Sequence, residues 1–233
     1  MLNKITLILV FASFLSLVLG VSLANREIIP ATTGLGLFAL AGLIGMIAAV
    51  FAVIVLFKQQ YVIGMIGIMG LMPLIIVAAI LMAGLEFPAI NDVSTNLADI
   101  PQFTHAQTLP ANANRDMAFP VEFIPHIEKS YSDLTTLEHT LETETIFLRL
   151  KGSLSQILPR TEITHFDQAQ GIIEGVTITR TFRWRDDFVI HIRPNGSGGT
   201  LVDMRSKSRD GRSDFGANAK RIQTVFDALK AMS

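Results

Sequence analysis

The sequence predicts an α+β protein: three transmembrane helices, followed by a soluble domain with a three- to four-stranded antiparallel sheet and two helices on one face. Three observations carry this reading. Of 19 basic and 20 acidic residues, only Lys4, Arg26, Glu27 and Lys58 lie in the first 85. Three long uncharged apolar runs fill that part of the chain. Beyond it, apolar residues recur with a helical period, then with a period of two, then with a helical period again. The chain thus divides into a membrane anchor at 1–85, an extended arm or linker at 86–120 and a soluble domain at 121–233.

The uncharged runs cover residues 5–24, 28–57 and 59–85. At about 1.5 Å per residue each can cross about 30 Å of hydrocarbon, and helices satisfy every backbone amide there. The spans are expected at 3–24, 34–57 and 61–85. Pro30 precedes the second, whereas Pro73 lies inside the third and should kink it. The Lys58-Gln59-Gln60 link makes the last two an antiparallel hairpin. The first run also reads as a signal peptide, with Lys4 ahead of it and small residues Ser22 and Ala24 at its end, although it exceeds the usual apolar length of about 7–15 residues. Lys4 and Lys58 fall on one side and Arg26 on the other. The amino terminus is therefore expected in the cytoplasm and the carboxy-terminal domain in the periplasm or otherwise outside, the membrane being the inner one if the chain is bacterial. Small residues at Ala41, Gly45 and Ala49, and at Gly64, Gly67 and Gly70, permit close helix packing, either on one another or on a partner membrane protein. No Asp, Glu, Lys, Arg or His falls within the three runs, which argues against an ion pathway or a pump.

In segment 86–120 periodicity disappears. Its apolar residues Phe87, Ile90, Ile100, Phe103 and Phe119 favour an arm laid over the domain rather than a bare tether. Residues 142–158 read as a helix with Phe147, Leu150, Leu154 and Ile157 on one stripe and Pro159 closing it. Alternation then marks strands. Ile172, Val176 and Ile178 share one face and Ile173, Thr177 and Thr179 the other, while Phe188, Ile190 and Ile192 oppose Val189, His191 and Arg193. Asn195-Gly196-Ser197-Gly198-Gly199 is a hairpin turn into a strand at 200–206; no Gly-Lys-Ser/Thr follows it, so it is not a phosphate loop. A short strand is possible at 161–166. A last helix at 214–232 carries Phe215, Ala219, Ile222, Phe226 and Leu229 on one stripe. Two helices on one face leave the other face open, carrying Thr177, His191, Arg193, Asp203 and Arg205.

Charge is uneven within the soluble half: residues 86–179 hold 5 basic and 13 acidic side chains, and 180–233 hold 11 basic and 6 acidic. Arg205, Lys207, Arg209 and Arg212 run into a helix start at Ser213 and Asp214. Unpaired amides beside guanidinium groups make an anion site for a phosphate, a carboxylate or a lipid head group. The competing reading pairs these bases with Asp186, Asp187, Asp203, Asp210 and Asp214. Asn218 falls on the apolar stripe of the last helix and needs buried partners, which makes it, with Asp214, a structural latch. The histidines His105, His126, His139, His165 and His191 lack metal-ligand spacing, and no metal or cofactor is expected. No nucleophile elbow is present, and adjacent Asp186 and Asp187 in a strand point to opposite faces. The absence of cysteine excludes a disulfide framework and thiolate chemistry. Balanced charge argues against nucleic acid as a partner.

The runs Asn91-Asp92-Val93-Ser94-Thr95, Asp186-Asp187-Phe188-Val189-Ile190 and Arg205-Ser206-Lys207-Ser208-Arg209-Asp210-Gly211-Arg212-Ser213-Asp214-Phe215-Gly216-Ala217-Asn218-Ala219-Lys220-Arg221-Ile222 resemble the domain-of-unknown-function family 1499 over roughly 88–230. Tyr131-Ser132-Asp133 matches that family's Tyr-Pro-Asp in part. The resemblance implies a domain often attached to membranes and carries no activity with it. The expectation is a non-enzymatic membrane protein whose outward domain binds an anionic ligand, a lipid head group or a protein partner through Arg205, Lys207, Arg209, Arg212 and Ser213. One alternative is a small membrane-anchored hydrolase or isomerase using Asp186, Asp187 or His191. Another is a structural subunit of a membrane complex, joined through the small-residue helix faces.

Overall fold

The computed structural model describes residues 1–232; Ser233, the last residue assigned above to the soluble domain, lies outside the described residues. Its contacts divide the chain into two units, Met1–Glu86 with Arg180–Arg183, and Phe87–Thr179 with the residues from Trp184 onward.

In the first unit α1 (Leu2–Asn25) and α2 (Ala31–Phe57) are continuous, and the third apolar run is broken into α3 (Tyr61–Met69) and α4 (Met72–Gly84). The break has the expected cause: Pro73 enters at the first turn of α4, where its missing N–H is no loss. All three apolar stretches are long enough and apolar enough to cross a membrane. Ser13 Oγ donates to the Ala41 carbonyl at 2.7 Å and Ser16 Oγ to the Leu37 carbonyl at 2.8 Å, tying α1 to α2 without an ionisable group. The small residues are used inside this unit. Gly67 faces Ala52 and Thr6, Gly70 faces Ala48 and Val10, and a Cβ on Gly45 would strike the Gly70 carbonyl. Large apolar side chains such as Ile8, Phe11, Val18, Met65 and Leu81 point outward.

The second unit is an antiparallel sheet of six strands, not three or four. β1 (Asp92–Ser94) and β2 (Leu137–His139) both pair with the outer edge of β6 (Thr200–Ser208), β1 against Arg205 to Lys207 and β2 against Thr200 to Val202. Then follow β5 (Arg185–Pro194), β4 (Ile172–Ile178) and β3 (Thr161–Asp167). The two extra strands are three residues each, too short for alternation to show in sequence. Between them lies a short helix, α5 (Ile124–Ser130).

Helices α6 (Thr143–Ile157) and α7 (Ala217–Lys230) supply Ile146, Phe147, Leu150 and Leu154, and Ile222, Val225, Phe226 and Leu229, to one core. The sheet answers with Ile173, Phe188, Ile190, Ile192, Val202 and Met204. The faces of β4 are the reverse of those expected: pairing sets Ile173 opposite Ile190 and Thr177 opposite Asp186, so Thr177 lies on the helix side and Ile172, Glu174 and Val176 lie opposite. Two adjacent isoleucines left the phase of the alternation undecided, and Gly175 settles it. A Cβ there would sit 2.6 Å from Phe188 Cζ, so only glycine fits under that ring.

The helix-free face is not open along its length. The chain between β1 and α5 lies across it, with Phe103 and Ala106 packed on Val189 and partly buried Met117 and Ile172 beside them.

Candidate functional site

Register places Asp187, Val189, His191 and Arg193 of β5 and Asp203, Arg205 and Lys207 of β6 on the face under this arm, and β1 adds Asp92 opposite Lys207. Charges buried there must be paired, because an isolated one costs several kcal/mol even after relaxation, on the order given for ions in protein interiors. They are paired. Arg205, fully enclosed, donates from Nε and Nη2 to the two Asp92 oxygens at 3.0 and 2.8 Å, and Lys207 Nζ donates to Asp92 Oδ2 at 2.9 Å. The Arg205 guanidinium lies between the Phe103 and Phe119 rings, 4.8 and 5.3 Å from their centroids. Its remaining hydrogens reach the arm carbonyls of Pro101 and Met117.

Asp187 anchors a second cluster. Arg209 donates to it through Nε and Nη2 at 3.0 and 2.7 Å, Arg115 Nη1 at 3.1 Å and Asn112 Nδ2 at 3.2 Å. Buried Glu174 has amides for partners. It accepts from the Thr104, His105 and Ala106 backbone N–H groups at 2.7, 2.9 and 2.6 Å and from Thr104 Oγ1 at 2.6 Å, which fixes the arm's 3-10 turn Ala106–Thr108.

The expected open-face residues are thus only partly open. Asp203 is buried, accepting from Thr95, Asn96 and Thr136 and pairing with Arg193 at 2.9 Å; His191 and Arg193 are half-buried. The arm covers the rest because its apolar residues need that surface.

On the helix side Asn218 is fully buried, and its partners are mostly side chains rather than the backbone of the arginine-rich loop. Its Oδ1 accepts from Ser206 Oγ at 2.8 Å and Arg221 Nη1 at 2.6 Å, and its Nδ2 donates to the Asn91 carbonyl at 3.0 Å and Ser208 Oγ at 3.1 Å. Arg221 continues to Asp186 at 2.6 Å. Asp214 acts from a turn before α7, its carboxylate accepting from the Gly216 and Asn218 amides at 2.9 and 2.7 Å. The helix begins at Ala217 rather than at 214 because Phe215 and Gly216 both have positive φ. Burial raises the Asp214 pKa above 3.8, aided by Asp186 and opposed by the two amides and Arg221. Burial, then the nearby Asp214 charge, pushes the Tyr131 phenol up to about 12, and its hydroxyl has no hydrogen-bond partner among the described residues.

The five residues expected to make an anion site from the sequence do not form one open site, although Arg205 and Lys207 share Asp92. Arg205, Lys207 and Arg209 are engaged by Asp92 and Asp187, Arg212 is exposed, and Ser213 is half-buried with its Oγ accepting from the Phe215 amide at 3.4 Å. The bases fall in alternate positions of a strand whose neighbour supplies Asp92, so pairing wins over solvent. Asp186, Asp187 and His191 do not converge either: Asp186 faces α7 with Arg221, Asp187 faces the arm, and His191 stands four strand positions, about 13 Å, beyond Asp187 on that same face. Among the described residues no three His, Asp or Glu side chains are grouped to hold a metal ion.

The structure does gather groups that sequence reading did not single out. A cleft of about 370 Å³ in the arm is lined by Gln102, Phe103, Gln107, Asn112, Arg115 and Asp116, among others. Its floor adjoins the Asp187 cluster through Arg115 and Asn112. Asp92 was visible only as part of the quoted Asn91-to-Thr95 run, and Glu174 as a lone acid in an apolar strand; Arg115 gave no local signal.

A model of the family described as a protein of unknown function, DUF1499, matches residues 92–229. No curated protein matches the chain.

Proposed function

The chain belongs to the DUF1499 family, and from the placement of Arg115 in its arm cleft we propose that it is a membrane-associated, non-catalytic binding module whose cleft takes a small anionic ligand. One observation carries this reading. Under the arm the four cations Arg115, Arg205, Lys207 and Arg209 face the three carboxylates Asp92, Asp187 and Glu174, and Asp116 on the cleft wall supplies a fourth, so that the two signs balance. Arg115, the most exposed of those four cations, opens into the cleft alongside the amides of Gln102, Gln107 and Asn112. The Asn112 amide is spent on the Ala106 carbonyl and Asp187, which leaves a guanidinium beside the Gln102 and Gln107 amides, a set that suits a phosphate or carboxylate group. The acid-base alternative lacks support, since Asp186, Asp187 and His191 lie apart. The module sits outside the cytoplasm in this reading, because three spans carry the chain across and the Lys4 and Lys58 ends favour the inner side.

Titration of the full chain in neutral detergent with inorganic phosphate or sulfate tests the proposal. A saturable rise in thermal unfolding temperature that weakens with salt and is lost in Arg115→Gln supports it. An absent rise, or one that Arg115→Gln retains, refutes it. Single cysteines at Ser197 and Gln60 of this cysteine-free chain, probed with an impermeant reagent in intact cells, test the sidedness. Labelling of Ser197→Cys without labelling of Gln60→Cys agrees with the assignment.

A further inference from the structure

The left-handed turn ahead of α7 holds an aromatic side chain where solvent reaches it. Phe215 has φ 52° and Gly216 φ 77°. A bulky non-glycine residue rarely adopts that conformation, yet the Phe215 ring is not buried in return, since the residue is 48% exposed. Phe87, itself 40% exposed, lies directly on Gly216: a Cβ on Gly216 would be 2.5 Å from Phe87 Cδ1. The turn therefore presents two phenylalanines at one end of the sheet. Backbone bonds fasten the incoming chain to the same loop, from Asp214 N to the Ile90 carbonyl at 3.1 Å and from Ser208 N to the Asn91 carbonyl at 2.8 Å. Asn91 Nδ2 also donates to the Gly211 carbonyl at 2.6 Å. Arg212, in that loop, is exposed.

Covalent reach limits how far Phe87 can stand from a membrane. The last apolar helix ends at Gly84, and three further residues span at most about 11 Å, so Phe87 stays close to the interfacial layer of any bilayer that the stretch Tyr61–Gly84 crosses. Exposed aromatic area confined to that layer is favoured there, and an arginine beside it can reach up to the head groups.

We propose that Phe87 and Phe215 form a wedge that seats in the bilayer interface, with Arg212 at its edge. The partner is the lipid surface itself. The proposal rests on membrane association of the apolar helices and is independent of the arm cleft.

The test uses the full chain in lipid nanodiscs containing brominated acyl chains, with the single tryptophan removed by Trp184→Phe. Phe215→Trp is then compared with Ser197→Trp in the β5–β6 hairpin, which lies beyond the far end of β6, about 26 Å along that strand. Tryptophan at 215 should lose fluorescence to the brominated lipid and emit further to the blue, while tryptophan at 197 should show neither change. Phe87→Trp is the second probe and decides the matter if Phe215→Trp does not fold. Quenching at 215 and 87 no greater than at 197 overturns the proposal.

Discussion

Arg205 and Asp92, both fully buried, face each other in a two-pronged ion pair at 3.0 and 2.8 Å that joins β6 to the start of the soluble domain. Among the described residues Asp92 is the one carboxylate that Arg205 and Lys207 touch. Removing it strands two cations, one of them with no route to solvent. Asp92→Ala should cost about 3–5 kcal/mol, the range for breaking a buried pair from one side. Replacing the pair together, Asp92→Leu with Arg205→Met, should cost less than Asp92→Leu alone, because the enclosed guanidinium leaves with its partner and only Lys207, closer to solvent, loses its carboxylate. Denaturant unfolding of the full chain followed by Trp184 fluorescence measures these changes; a double variant worse than Asp92→Leu alone contradicts this account.

Glu174 holds the arm by another device, three backbone amides and a hydroxyl converging on one buried carboxylate. Glu174→Gln replaces one accepting oxygen with an NH₂ that faces those same donors. The arm should loosen while the sheet stays intact. Hydrogen exchange should accelerate across residues 103–108 and stay unchanged across the β5–β6 pairing; unchanged protection at 103–108 would show that apolar packing of Phe103 and Ala106 suffices.

Asn218 satisfies four partners from one amide group. Asn218→Ala leaves the Asn91 carbonyl without that donor and Arg221 without one acceptor in a dry site. Unsatisfied buried groups cost about 1–3 kcal/mol each, so a loss of about 2–4 kcal/mol is expected in denaturant unfolding. A loss below 1 kcal/mol, roughly the worth of one ordinary hydrogen bond, would mean that water replaces the amide.

How much of this was legible in sequence depended on range. The apolar runs, the Pro73 break, the α6 stripe and the β5–β6 hairpin are written in neighbouring residues, and each is where its local pattern put it. Asn218 was readable because one polar residue interrupts an apolar stripe. The partner of Arg205 was not, since Asp92 stands 113 positions away and arrives through a three-residue strand with no period of its own. The arm was legible as apolar area needing cover, but the surface it covers followed only from the phase of β4, which Gly175 decides through contact with Phe188 on another strand.

Asp214 makes stability depend on pH in a predictable direction. Burial lifts its folded pKa above 3.8, so the folded state holds the proton more tightly than the unfolded chain does. The stabilising contribution of this group is complete below pH 3.8 and is lost as pH rises through the folded value. Asp214→Asn keeps an acceptor for the turn and removes the titration. Its stability relative to the parent should therefore climb as pH is raised from 3.5 or so toward neutrality, whatever constant offset the altered cap of about 1 kcal/mol imposes. Unfolding midpoints of both proteins across that range give the difference directly. A difference independent of pH would show that the Gly216 and Asn218 amides, together with Arg221, fully offset the desolvation.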